Sequence, residues 1–160
     1  MTPYHLAFAL TPSTLRRIVD CVPVERHTDT LGPDRFNLIE MVAHLADWED
    51  IFLDRMRLAH EFPGSPAEHH DESQRAIDKH YATRDIQHEL DVFENRRRDT
   101  IDFLQSLKEE DFQKGFIHPE GGKLRTIQNQ VMMMTGHDIY HFDQAAQYLR
   151  EPVTSGGTAS

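Results

Sequence analysis

The chain has a single cysteine, Cys21, among its 160 residues. An intramolecular disulfide is therefore excluded, and a lone thiol suits a reducing compartment, so a cytoplasmic location is expected. Long apolar runs are also missing. No stretch reaches the roughly 20 apolar residues that a helix needs to cross a bilayer, and the opening MTPYHLAFAL lacks the basic flank of a secretory signal. Neither membrane insertion nor export is expected. Positive charge is scarce: 17 Lys and Arg stand against 27 Asp and Glu, a net charge of −10. That balance opposes the phosphate neutralisation on which nucleic-acid binding relies, so the expected partner is a small molecule and not DNA or RNA. Strict alternation of apolar and polar residues, the mark of a half-buried strand, is absent over any useful length.

What is present is helical periodicity in four segments, which predicts an all-α fold. The first helix is expected to start at Thr11 as N-cap with Pro12 in the first turn, and to turn Leu15, Ile18, Val19 and Val22 inward before Pro23. The second has the clearest start. Asn37 as cap, Glu40 three residues on, and Phe36 placed to pack on Met41 make a capping box with a hydrophobic staple. Its apolar stripe runs through Leu38, Val42, Leu45, Phe52 and Met56 to about Ala59. The third helix shows Ile86, Leu90, Phe93, Ile101, Leu104 and Leu107. The fourth is expected to begin at Thr126 and to stop near Glu151, because Pro152 follows.

Connection lengths arrange these helices. The segment HEFPGSPAEHHDESQRAIDKHYATR between helices two and three is too long for a tight hairpin but long enough to cross the whole bundle. Helices two and three can then run parallel, which gives an up-down-down-up four-helix bundle in which helices two and four are antiparallel. One domain over residues 1–151 is expected, followed by a small, polar and disordered tail at 152–160. No internal repeat is visible.

Within the fourth helix, GHDIYHFDQ places His137 and His141 one turn apart on one face, close enough to grip a single ion. Two ligands are a loose grip, and from spacing alone the pair is either a ligand pair or two hydrogen-bonded core-edge histidines. A third candidate is His44, the histidine in the middle of the second helix beside its apolar stripe. In the antiparallel arrangement its level falls about one turn from the pair. HDIYH has the spacing of the zincin motif, but Asp138 stands where that motif needs a longer glutamate. A di-iron bundle would need paired Glu and Glu-x-x-His ligands, which helices one and three do not offer. The remaining candidates read more plainly: His69 and His70 as solvated crossover, Cys21 as a core or core-edge residue, and the methionines at 132–134 as core filler.

Three stretches carry a family likeness: NLIEMVAHLADWEDIF, HELDVFENRRRDTIDFLQSL and TIQNQVMMMTGHDIYHFDQAAQYL. With the crossover between the first two, they resemble the DinB/YfiT superfamily of small metal-binding four-helix bundles over nearly the whole chain. The resemblance carries the metal ligands over to His44, His137 and His141. It implies a divalent ion, nickel or zinc first and iron or manganese next, with water completing its shell. Some relatives are transferases that use low-molecular-weight thiols such as bacillithiol or mycothiol, and others are isomerases or predicted hydrolases.

Three neutral imidazoles leave an ion its full charge and an open position at which a thiol or water would lose its proton more easily. The expected function is therefore a metal-dependent S-transferase or hydrolase, with a non-catalytic bundle pinned by a structural ion as the alternative. Asp47, Asp138 and Asp143 are candidates to orient the imidazoles, and Arg97 to contact a substrate carboxylate. The second apolar stripe on helix four, Ile139, Phe142, Ala146 and Leu149, suggests a homodimer.

Overall fold

The computed structural model describes residues 3–150 of the chain, so the tail expected at 152–160 lies outside the described residues. The helices are α1 (Pro3–Asp20), α2 (Leu38–Glu61), α3 (Glu72–Asp78), α4 (Ile86–Ser106) and α5 (Ile127–Gln147). The four long ones form the all-α bundle, and the short α3 lies in the crossover. No described helix is long and apolar enough to cross a membrane.

Local chemistry explains most helix starts. Asn37 and Glu40 exchange both hydrogen bonds of a capping box at 2.9 Å each. Asp85 caps α4 by accepting from the His88 amide at 2.7 Å. Thr126 and Asn129 form a second reciprocal box at the start of α5. The expected start of α1 at Thr11 is wrong: the helix begins at Pro3, with Pro12 in its interior. Pro12 cannot donate to the Phe8 carbonyl one turn back, and the Thr11 hydroxyl donates to that carbonyl instead, at 3.0 Å. The extra turns bring Phe8 fully into the core. At the other end of the chain α5 stops at Gln147, before the expected limit near Glu151. Arg26 reaches in to donate to the carbonyls of Tyr148 and Arg150 at 2.5 and 2.7 Å, satisfying acceptors that the end of the helix leaves open.

Two apolar clusters fill the bundle. One joins Leu15 and Val19 of α1, Leu38 to Ala46 of α2, Leu90 and Phe93 of α4, and Ala145 and Tyr148. The other joins Phe8, Phe52 to Ala59, Leu104, and Val131 and Met134 of α5. Passing from the first cluster to the second, residue numbers fall in α1 and α5 and rise in α2 and α4. The helices therefore run up-down-down-up, as the long crossover predicts. Between the clusters lies a polar layer that contains Thr11, Glu49, Arg97, Thr100, His44, Asp138 and His141, all buried except Thr11.

A small hairpin departs from the all-helical expectation. Strands β1 (Gly115–Ile117) and β2 (Leu124–Thr126) pair antiparallel with Phe116 opposite Arg125. Three-residue strands are too short for alternation to register in a sequence. Gly115 is required there, since a Cβ at that position would come within 2.8 Å of the Arg125 carbonyl. The start of the crossover also pairs with this hairpin through Pro66 and Ile117. The following residues, His69 and His70, line the same cleft as His137.

Candidate functional site

His44 reaches the polar layer from α2, while His137 and His141 come from successive turns of the antiparallel α5. Their Nε2 atoms converge: His137 Nε2 lies 3.0 Å from that of His44 and 3.2 Å from that of His141. Ligand nitrogens about 2.0–2.1 Å from a tetrahedral ion would be about 3.3 Å apart, so the spacing fits one shared divalent ion. Among the described residues the cluster offers three donors, one from each histidine.

The protonation of the cluster suits metal binding. Burial is the main force pushing all three histidine pKa values down, His137 to about 3, with the neighbouring imidazoles adding to the effect on His44 and His137. At neutral pH the rings are uncharged and can present lone pairs. The Nδ1 of His141 donates to Gln144 Oε1 at 2.8 Å, which leaves its Nε2 lone pair facing the cluster. His44 is 1% exposed, and its Nδ1 has no hydrogen-bond partner. The nearest carboxylate to that atom is Glu72, with Oε1 at 3.8 Å.

The acidic residues and the arginine singled out from sequence are placed differently from expectation. Asp47 turns away from His44 and accepts from Arg75 and from the Tyr81 hydroxyl, the latter at 2.6 Å. Burial alone would raise its pKa, but those bonds and the Arg75 charge win and lower it. Asp143 is exposed and accepts from Gln147 at 3.0 Å. Asp138 accepts two bonds from Arg97, at 2.6 and 3.1 Å. Arg97 is not open to a substrate. It is 1% exposed and uses its remaining donors on Glu49, at 2.8 Å twice, and on the Thr11 hydroxyl, while its guanidinium stacks on Phe8 and Phe93. The Thr100 hydroxyl completes this network by donating to Glu49 at 2.7 Å. One residue from each long helix thus meets around Arg97, beside the histidine cluster.

Gln144, which accepts from His141, and Glu72, 3.8 Å from His44, are polar groups beside the rings that the sequence reading did not name. Gln144, three positions after His141, could have been found from helical spacing. Glu72 could not, since the crossover alone brings it near His44. A cleft of about 260 Å³ opens beside His44 and His137 and is lined by Trp48, Phe52, Arg55, Arg125 and Met133 among others. His69, His70 and His118 also line it, so the crossover histidines border the site, with His69 exposed and His70 half-buried. Cys21 is exposed and outside the core, and of the three adjacent methionines only Met134 is fully buried, with Met132 at 58% exposure.

The DinB superfamily model matches residues 7–145 of the chain. Among solved structures, YfiT from Bacillus subtilis, described as a probable metal-dependent hydrolase with an unusual four-helix bundle topology, superposes with a TM-score of 0.86. The two share 18% sequence identity over 92% of this chain and 87% of that one, a likeness of fold. No curated protein matches in sequence.

Proposed function

The chain belongs to the DinB superfamily, and from that membership and the histidine geometry we propose that it is a metal-dependent enzyme acting on a small molecule. His44, His137 and His141 would hold one divalent ion, zinc or nickel. Such an ion supplies Lewis acidity that eases deprotonation of a nucleophile, either water in a hydrolase or a low-molecular-weight thiol in an S-transferase. The observation that carries this reading is that three Nε2 atoms within 4.8 Å of one another sit beside an open cleft. A purely structural ion would be closed by a fourth protein ligand, and among the described residues the cluster has three.

The protein's own groups supply orientation and exclusion of water. Gln144 fixes the tautomer of His141. The rings of Trp48 and Phe52, 5.6 Å apart, form an apolar wall leading from His44 along α2. The Arg97 network holds α5 against α2 and α4 through ion pairs at 2.6–2.8 Å, which sets the level of His137 and His141 relative to His44. The test is a turnover screen of zinc- and nickel-loaded protein. It would pair thiols with electrophiles, and include simple esters and amides. Activity that requires metal and is lost on replacing any one of the three histidines supports the reading. Tight binding of one ion per chain with no turnover across the panel would favour the structural alternative.

A further inference from the structure

The cleft beside the histidines has a second end where buried donors outnumber acceptors. Arg55 lines it at only 7% exposure, and its Nε has no hydrogen-bond partner. Its Nη2 reaches a single carbonyl, that of Glu68, at 3.5 Å. The indole Nε1 of Trp48, on the same face of α2, is also buried without a partner. Arg125 of β2, half-buried, borders the same space and makes no ion pair among the described residues. Burial first, and the charge of Arg125 second, pull the pKa of Arg55 below its ordinary value, with the Glu120 carboxylate opposing them more weakly. The carboxylates of the lining are exposed: Glu120 sits at the rim, and Glu72 lies toward His44. Buried donors without acceptors, flanked by a second cation, are the complement of an oxyanion.

Helix geometry explains why this end faces the histidines. Side chains on a helix lean toward its N-terminus, so Arg55 folds back along α2 toward His44. Its guanidinium lies 5.9 Å from the centre of the Trp48 ring, and that ring lies 5.6 Å from the His44 ring. Two such steps, about 12 Å at most, separate the cation from the histidine cluster.

We infer that Arg55 and Arg125 form an oxyanion clamp, so that the substrate is a small molecule with a carboxylate or phosphate at one end and its reacting group presented to the histidines. The assignment of the reacting end rests on the metal-dependent reading above, whereas anion binding by the clamp does not. A volume of about 260 Å³ limits the ligand to a few rings' worth of atoms, below the usual range for drug-sized sites.

The chain has one tryptophan, Trp48, and it lies in the cleft, so its fluorescence reports occupancy directly. Benzoate, phenyl phosphate and the neutral benzamide would be titrated into metal-free protein and again into zinc-loaded protein. Saturable quenching by one or both anions, with benzamide at least about tenfold weaker, is expected in both forms. The preferred anion identifies the oxyanion as carboxylate or phosphate. Arg125→Gln, on the half-buried strand, should weaken anion binding about fivefold or more, and Arg55→Gln about tenfold or more, with a cooperative thermal melt followed by circular dichroism as the check that each variant is folded. Benzamide binding as well as the anions, or Arg125→Gln binding them like the parent, would overturn the clamp. Anion binding that persists in a protein unable to bind zinc would sink the metal reading and leave the clamp standing.

Discussion

Replacing His44 by Ala separates the metal from the fold. The parent should be stabilised by zinc according to occupancy: at a free concentration one hundred times the Kd, the gain is about 2.7 kcal/mol. For a domain of this size that corresponds to a rise in Tm of roughly 5–11 °C. In the metal-free protein the same substitution has two opposed effects. It removes a ring packed 5.5 Å from Phe36 and 5.6 Å from Trp48, centre to centre, which costs stability. It also removes a buried Nδ1 that has no partner, which returns some, on the order of 1–3 kcal/mol. The metal-free variant should therefore melt within a few degrees of the metal-free parent, while its response to zinc disappears. Differential scanning calorimetry of both proteins, with chelator and with buffered zinc, gives the four curves needed. His69→Ala serves as the control and should keep the full zinc shift, because His69 lies at the cleft wall outside the converging set. A variant lacking His44 that still binds zinc with the parent's affinity would refute the assignment of the third ligand.

Arg97→Met should destabilise by roughly 3–5 kcal/mol in urea titrations at neutral pH, because it leaves Glu49 and Asp138 buried without their cation; a loss below 1 kcal/mol would mean the network is not essential to the bundle. The deficit should shrink on acidification. Burial raises the Glu49 pKa above its ordinary 4.5 even with Arg97 beside it, so the stability linked to its protonation is present below that value and is lost as pH rises. Asp47 behaves oppositely. Its lowered pKa gives stability above pH 3.8 that is lost as pH falls further, so Asp47→Asn should be less stable than the parent at pH 6 and converge with it near pH 2. Elemental analysis of protein purified without chelator should find no more than one divalent ion per chain, and two would point to a dinuclear centre. Leu6 and Leu10 of α1 and Met132 and Ile139 of α5 are exposed on adjacent helices, and sedimentation should show a dimer at tens of micromolar; a clean monomer would remove that expectation.

Local signals and distant ones were not equally legible. Asn37 with Glu40, and Thr126 with its helix, could be read directly, because a cap satisfies donors within three residues of itself and needs nothing from elsewhere. The parallel course of α2 and α4 also followed from the sequence, since the length of a crossover is a local quantity. The His137 and His141 pair was legible for the same reason, being set by one helical turn. Spacing alone could nominate His44 but could not bring its Nε2 within 3.0 Å of His137 across 93 residues of chain. That took the packing of α2 on α5 in one stagger. What the sequence left open or misplaced has the same origin: Pro12 was read as a helix start because the sequence does not show that the Thr11 hydroxyl takes over the Phe8 carbonyl, while Arg97 stood as a candidate substrate contact because neither of its carboxylate partners is within 40 residues. Sequence determined which segments would be helical, where most begin and which histidines share a face, since each depends on bonds within a turn or two. Only the tertiary structure decided which buried charges pair off and which donors are left facing a cleft, because burial and long-range pairing are properties of the packed bundle and of no segment within it.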